Sequence, residues 1–122
     1  MNDQIAIITA EDFPTAMAEG KKLIPFSPSL EQVQDLERDL STYLKANHPE
    51  LFKKWTAYYR QYMGIQQVQG VKKIRGNFLC EVDGNRWKEQ WIMVKDGGDC
   101  YFNFSYEVEE KKIIEFSVNG EA

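Results

Sequence analysis

The chain has 122 residues, 43% hydrophobic and 13% aromatic, with two cysteines and one histidine, enough for one domain spanning residues 1–122 that buries its core without a disulfide or metal staple. A net charge of −4 disfavours nonspecific contact with nucleic acid or an anionic membrane. No apolar run approaches the roughly 18 residues of a membrane span, and "IAIIT" is too short for a secretory leader, so the expectation is a soluble, cytoplasmic protein.

Residues 1–28 hold Pro14, Pro25 and Pro28 and show weak periodicity, which predicts a short strand at Ile5–Ile8, one helical turn and an irregular connector. Helix-start chemistry follows, either Ser27 before Pro28 or Ser29 with Gln32 as a capping box. From there Leu30, Val33, Leu36, Leu40, Tyr43 and Leu44 fall on one stripe, the signature of a core-facing amphipathic helix with an acidic outer side. After Asn47 the pattern restarts with Pro49 near the first helical position and an apolar face of Leu51, Phe52 and Trp55, giving a short second helix. The helical part is residues 29–57.

From Tyr58 the period changes to two, with turn signals at Gln69-Gly70, Asp83-Gly84-Asn85, Asp96-Gly97-Gly98-Asp99 and Glu109-Glu110-Lys111. The fold class is therefore α+β, with both helices packed on a curved antiparallel meander of about five strands over residues 58–119. Turn-derived registers put Trp87, Glu89, Trp91 and Met93 on the same face as Phe102, Phe104, Tyr106 and Val108. Phe78, Cys80 and Val82 join that face, and Gly76 lies near Met93. A three-residue loop at Glu109–Lys111 pairs Tyr106 with Ile114 and Phe102 with Val118, keeping Glu115 away from the aromatics. For the first meander strand two registers stand open, one turning Tyr59, Met63 and Ile65 inward and the other Tyr58, Arg60 and Tyr62.

These registers nominate two sites. Glu89, Arg60, Tyr106, Trp91, Trp55 and Phe102 form a candidate pocket between helix and sheet, where a buried carboxylate requires a cation or hydroxyl partner. Ile92, Val94, Tyr101, Ile113 and Leu79 form an apolar strip on the opposite face, either covered by the N-terminal segment or a candidate interface. With the Trp87 strand between their own strands, Cys80 and Cys100 should stand about 9–10 Å apart, beyond the ~7 Å limit for a disulfide, so both are expected as reduced thiols. One histidine, His48, and no third cysteine preclude the usual zinc sets. No phosphate loop or nucleophile elbow occurs. No catalytic residue, metal or cofactor is nominated.

Charge is uneven. Residues 49–76 carry six cations against Glu50, and residues 77–122 five cations against ten carboxylates, a polarity suited to self-association or to docking on a partner.

The segments "YYRQYMG", "WKEQWIMVKDGGDCYFNFSYEVEEKKI" and "FSVNGEA" resemble a family of small bacterial α+β proteins with Y-x-R-Q-Y, W-K, D-G-G-x-C-Y-F and terminal N-G-x-A segments. The resemblance covers the second half of the chain well and the helical part loosely, and it implies no catalytic residues. Some of those proteins are exported or lipid-anchored, and this chain, in which no leader is expected, would depart from them in that respect. Helices followed by an antiparallel meander also resemble, by analogy of architecture, the cystatin-like and nuclear-transport-factor-like folds. The function expected is a non-enzymatic protein–protein interaction or accessory role, with an immunity-type factor as one form of it, acting on a protein partner or as a homodimer, without nucleic acid or membrane. The alternative is a small-molecule-binding protein or small enzyme using the helix–sheet pocket.

Overall fold

The computed structural model describes residues 3–14, 23–67 and 70–121; Gln69 of the first turn signal and the terminal Ala122 lie outside them. Strands β1 (Ile5–Ile8) and β2 (Leu23–Phe26) precede helix α1 (Leu30–Asn47) and the single turn α2 (Pro49–Phe52). Strands β3 (Tyr59–Gln67), β4 (Lys72–Leu79), β5 (Tyr101–Glu107) and β6 (Lys112–Val118) follow. The fold is α+β, and the sheet is mixed where an antiparallel meander was expected. β3, β4, β5 and β6 are antiparallel neighbours in that order, while the far edge of β3 is shared by parallel β1 and antiparallel β2.

Helix α1 starts at Ser29, whose hydroxyl accepts from Gln32 N at 3.1 Å while the Gln32 side chain accepts from Ser29 N at 2.9 Å. This reciprocal pairing satisfies two otherwise orphaned donors. Ser27 has a different task, its Oγ accepting from Ala10 N at 3.0 Å. Val33, Leu36, Leu40 and Leu44 are buried against one face of the sheet, where Tyr58, Tyr62, Ile74, Phe78, Phe102, Phe104 and Tyr106 complete the main core. The open register of the first meander strand resolves in favour of Tyr58, Arg60 and Tyr62 on the helix side, with Met63 on the other. Gly76 lies between Tyr62 and Phe104, away from its expected neighbour Met93. Phe104 takes the space a side chain would need, since an added Cβ at Gly76 would lie 2.4 Å from its ring.

The expected strand at Trp87–Lys95 is absent. β4 pairs directly with β5, from Lys73 opposite Glu107 to Leu79 opposite Tyr101, and residues 81–97 form a loop with one 3-10 turn at Arg86–Lys88. Consequently Cys80 and Cys100 end adjacent strands, their Cα atoms 4.9 Å apart, and form a disulfide. This corrects the expectation of two reduced thiols, whose separation was inferred from a strand that does not exist.

At the last hairpin Glu107 pairs with Lys112, so the loop has four residues and Ile113, not Ile114, stands opposite Tyr106. A bulge between Asn103 and Ser105 restores the expected pairing of Phe102 with Val118. Glu115 adopts φ +53° there, which lets Ile113 and Phe116, three residues apart, both face the helix. A regular strand, with period two, would separate them.

A cross-link spanning 20 residues restricts the unfolded chain by about 3 kcal/mol in the chain-entropy treatment. Reduction with dithiothreitol, or Cys80→Ser, is therefore expected to lower the urea unfolding midpoint by that equivalent with the native far-UV spectrum retained. An unchanged midpoint would contradict the assigned role of the bond.

Candidate functional site

The residues nominated for the helix–sheet pocket separate. Arg60, Trp55, Phe102 and Tyr106 face the helix; Glu89 is exposed on the loop, and Trp91 packs on the opposite face of the sheet against Ile8, Phe13 and Met63. Arg60 and Tyr106 do bind carboxylates, but these come from the helix. Arg60, 2% exposed, pairs with Glu37 at 2.9 Å, and its guanidinium lies 5.3 Å from the Trp55 ring centre. The Tyr62 hydroxyl donates to the same Glu37 oxygen at 2.6 Å, and the Tyr106 hydroxyl donates to Asp39 at 2.6 Å. Glu37 and Asp39 flank the apolar stripe of α1 on its two sides, so the pairs clamp the helix at both margins. Phe102, with no exposure, and Tyr106, at 1%, belong to a filled core.

Burial is the leading cause that holds the Tyr58, Tyr62 and Tyr106 hydroxyls above their ordinary pKa, reinforced at Tyr62 by Glu37 and at Tyr106 by Asp39. The Tyr58 hydroxyl donates to the carbonyl of Asp99, beside the disulfide, and Lys54 pairs with the Asp99 carboxylate at 2.9 Å. Among the described residues, no three or more His, Cys, Asp or Glu side chains gather as a metal site.

The outer face carries the more distinctive arrangement. Gln61 and Asn77 project there from β3 and β4, 0% and 8% exposed, under the 81–97 loop. The Gln61 amide nitrogen donates to the carbonyls of Trp87 and Gln90, and its oxygen accepts from Ile92 N at 3.0 Å and from Asn77 Nδ2 at 2.9 Å. Asn77 Nδ2 also donates to the Ile92 carbonyl at 2.7 Å. Two side chains thus supply bonds that a neighbouring strand would otherwise give the loop backbone. Asn119 adds two more, donating to the carbonyls of Val94 and Asp96 at 2.8 and 3.0 Å. Gly97, with φ +100°, has the Tyr101 ring where a Cβ would lie, so a larger residue would meet both backbone strain and a clash. Trp87 is buried with Ala6 and Leu79, beside Tyr59, Val82, Ile92 and Tyr101.

Of the nominated apolar strip, Leu79 and Tyr101 pack against this loop, and Ile92 and Val94 belong to it. Leu79 is buried, Tyr101 and Ile92 are half-buried, and Val94 is 37% exposed. Ile113 is on the helix side, which removes it from the strip. Two clefts flank the loop. One, of about 240 Å³, is lined by residues including Leu79, Val82, Arg86, Trp87 and Tyr101. The second, of about 220 Å³, is lined by Arg75, Trp91, Met93, Asn103 and Asn119, and shares Ile92, Val94 and Tyr101 with the first.

Sequence reasoning missed Gln61, Asn77, Arg75 and Asn119. On half-buried strands a polar outward residue looks solvated; the available signal was a pair of carboxamides on facing strands beside a loop rich in tryptophan. No family model, curated protein or solved structure matches the chain.

Two outcomes are expected. Because the folded state holds the pKa of Tyr58, Tyr62 and Tyr106 above the ordinary 10.0, their contribution to stability is complete below pH 10 and falls as pH rises through the folded values. Absorbance at 295 nm should show their ionisation coinciding with loss of circular dichroism, and ionisation of all six tyrosines in the still-folded protein would contradict this. Second, Gln61→Met should accelerate amide exchange at Ile92 at least tenfold while β5 amides stay protected. Equal protection in both proteins would deny Gln61 its place under the loop.

Proposed function

We propose that the chain is a non-enzymatic protein-interaction module that contacts its partner through the outer-face loop closed by the Cys80–Cys100 disulfide. The observation that carries this reading is Met93, 79% exposed, beside Val94 at 37%, on a loop otherwise held by a disulfide and three side-chain amides. A flexible thioether suits varied apolar surfaces, and a backbone already fixed reduces the ordering cost of association. Clefts of about 220–240 Å³ fall below the roughly 300–1,000 Å³ usual for small-molecule sites, a size that suits an inserted side chain. The nearby buried amides serve the loop backbone, which supports recognition over chemistry.

The disulfide supports an oxidising workplace over the cytoplasmic one expected from reduced thiols. The cystatin-like or nuclear-transport-factor-like analogy extends to a helix lying on β3–β6 alone, with parallel β1 a departure.

The test is photo-crosslinking in the producing cells with benzoylphenylalanine at position 93, compared with exposed Glu31 on α1. A discrete protein adduct at 93, absent at 31 and abolished by Val94→Asp, is expected, and mass spectrometry distinguishes a second copy from another chain. Indiscriminate labelling at both positions, or none at 93, would overturn the proposal.

A further inference from the structure

Arg75 projects from β4 onto the outer face and lines the 220 Å³ cleft. Its guanidinium donates to Ser105 Oγ at 2.7 Å and to Asn103 Oδ1 at 3.2 Å. Both acceptors are neutral, and no carboxylate of the described residues forms an ion pair with it. The Glu115 carboxylate acts on it through space and is itself engaged by Lys73 at 3.7 Å. Arg75 has five N–H donors, and two are used by these bonds. The other three meet no acceptor among the described residues. Asn103, its carbonyl oxygen turned to Arg75, keeps its amide hydrogens without an acceptor among the described residues.

A guanidinium held in a fixed orientation by two neutral acceptors, partly desolvated and with no carboxylate of the described residues in ion-pair contact, is arranged to take an anion. Desolvation acts to lower its pKa, a cost that an incoming negative charge would relieve. Among the described residues the cleft offers one cation, and it has the size of a single side chain, matching a planar, singly charged carboxylate better than a phosphate group. Trp91, Met93 and Val94 on the same cleft supply apolar contact for whatever adjoins that carboxylate.

We propose that this cleft binds the carboxylate of a glutamate or aspartate side chain on a partner protein, with Arg75 as the ion-pairing residue, Asn103 as a second donor, and an apolar neighbour of the acidic residue resting on Trp91 and Met93. The proposal rests on the interaction reading above and names the chemistry its partner presents.

The experiment is an NMR titration of the native, oxidised chain with acetyl-Gly-Glu-Leu-Gly-amide, its Gln counterpart, and propionate. The Glu peptide is expected to shift the Trp91 indole and Asn103 side-chain signals, with the Gln peptide at least tenfold weaker and Arg75→Gln abolishing the response. Equal responses to the Glu and Gln peptides, equal responses in wild type and Arg75→Gln, or no response at all would overturn the carboxylate site. Propionate matching the Glu peptide would make it a pocket for free anions and overturn the protein-borne source. Should Arg75→Gln fail to fold, the Glu-against-Gln comparison on the native chain decides alone. A negative titration beside a positive crosslink at position 93 sinks this inference and leaves the interaction reading. The reverse pair of results sinks the interaction reading.

Discussion

Gln61 and Asn77 lie under a loop, out of water, where each unpaired amide would cost a few kcal/mol. That burial is tolerable because the loop backbone has the complementary deficit. Its carbonyls at Trp87, Gln90 and Ile92 and its amide at Ile92 have no strand beside them, and the two side chains meet these needs. Each side of the contact removes the other's penalty, so the loop and the β3–β4 surface depend on one another. With the backbone held this way, Trp87 and Trp91 cover apolar surface on the outer face. The same arrangement leaves β4 free to pair with β5 and brings the two cysteines together.

The helix face is stabilised differently. Its centre is an aromatic layer, with Phe78 and Phe102 ring centres 4.5 Å apart and Phe102 and Phe116 5.4 Å apart. Its margins are carboxylate contacts from the helix, Glu37 to Arg60 and Tyr62, and Asp39 to Tyr106. Apolar burial gives adhesion but little direction, whereas charge-assisted hydrogen bonds demand geometry. The margins therefore set how α1 lies on the sheet, and the centre supplies most of the attraction. The carboxylates of the helix are spent on the inner face of the sheet, while on the outer face Arg75 is bonded to neutral Ser105 and Asn103.

The parts of this fold legible in the sequence are those governed by local rules. The Ser29–Gln32 cap, the stripe from Val33 to Leu44 and Pro49 at the start of α2 each follow from chemistry within a few residues. The alternation of Phe102, Phe104 and Tyr106 placed the core face of β5 correctly. Trp87, Glu89, Trp91 and Met93 alternate just as well, but the backbone of that segment is bonded at Trp87, Gln90 and Ile92 by side chains distant in sequence, which periodicity does not reveal. That single misreading moved Glu89 into the core and separated the cysteines. Parallel pairing of Ile5–Ile8 with β3 was equally invisible, since no turn connects the two strands. For the candidate site, four of the five strip residues come together at the loop; the polar residues that shape the site were passed over because buried and solvated amides look alike in a sequence.

The bulge at Glu115 reaches beyond the hairpin it adjusts. β6 is a terminal strand of the sheet, and an uninterrupted one would offer a row of backbone groups on which another extended chain could polymerise. With Glu115 in the left-handed region, that row is broken near its middle and carries a carboxylate at the break. A second molecule could not extend the ladder along β6 without first straightening it and losing the placement of both Ile113 and Phe116 in the core. The residue that corrects the phase of the strand thereby also interrupts the edge along which another strand would have to pair.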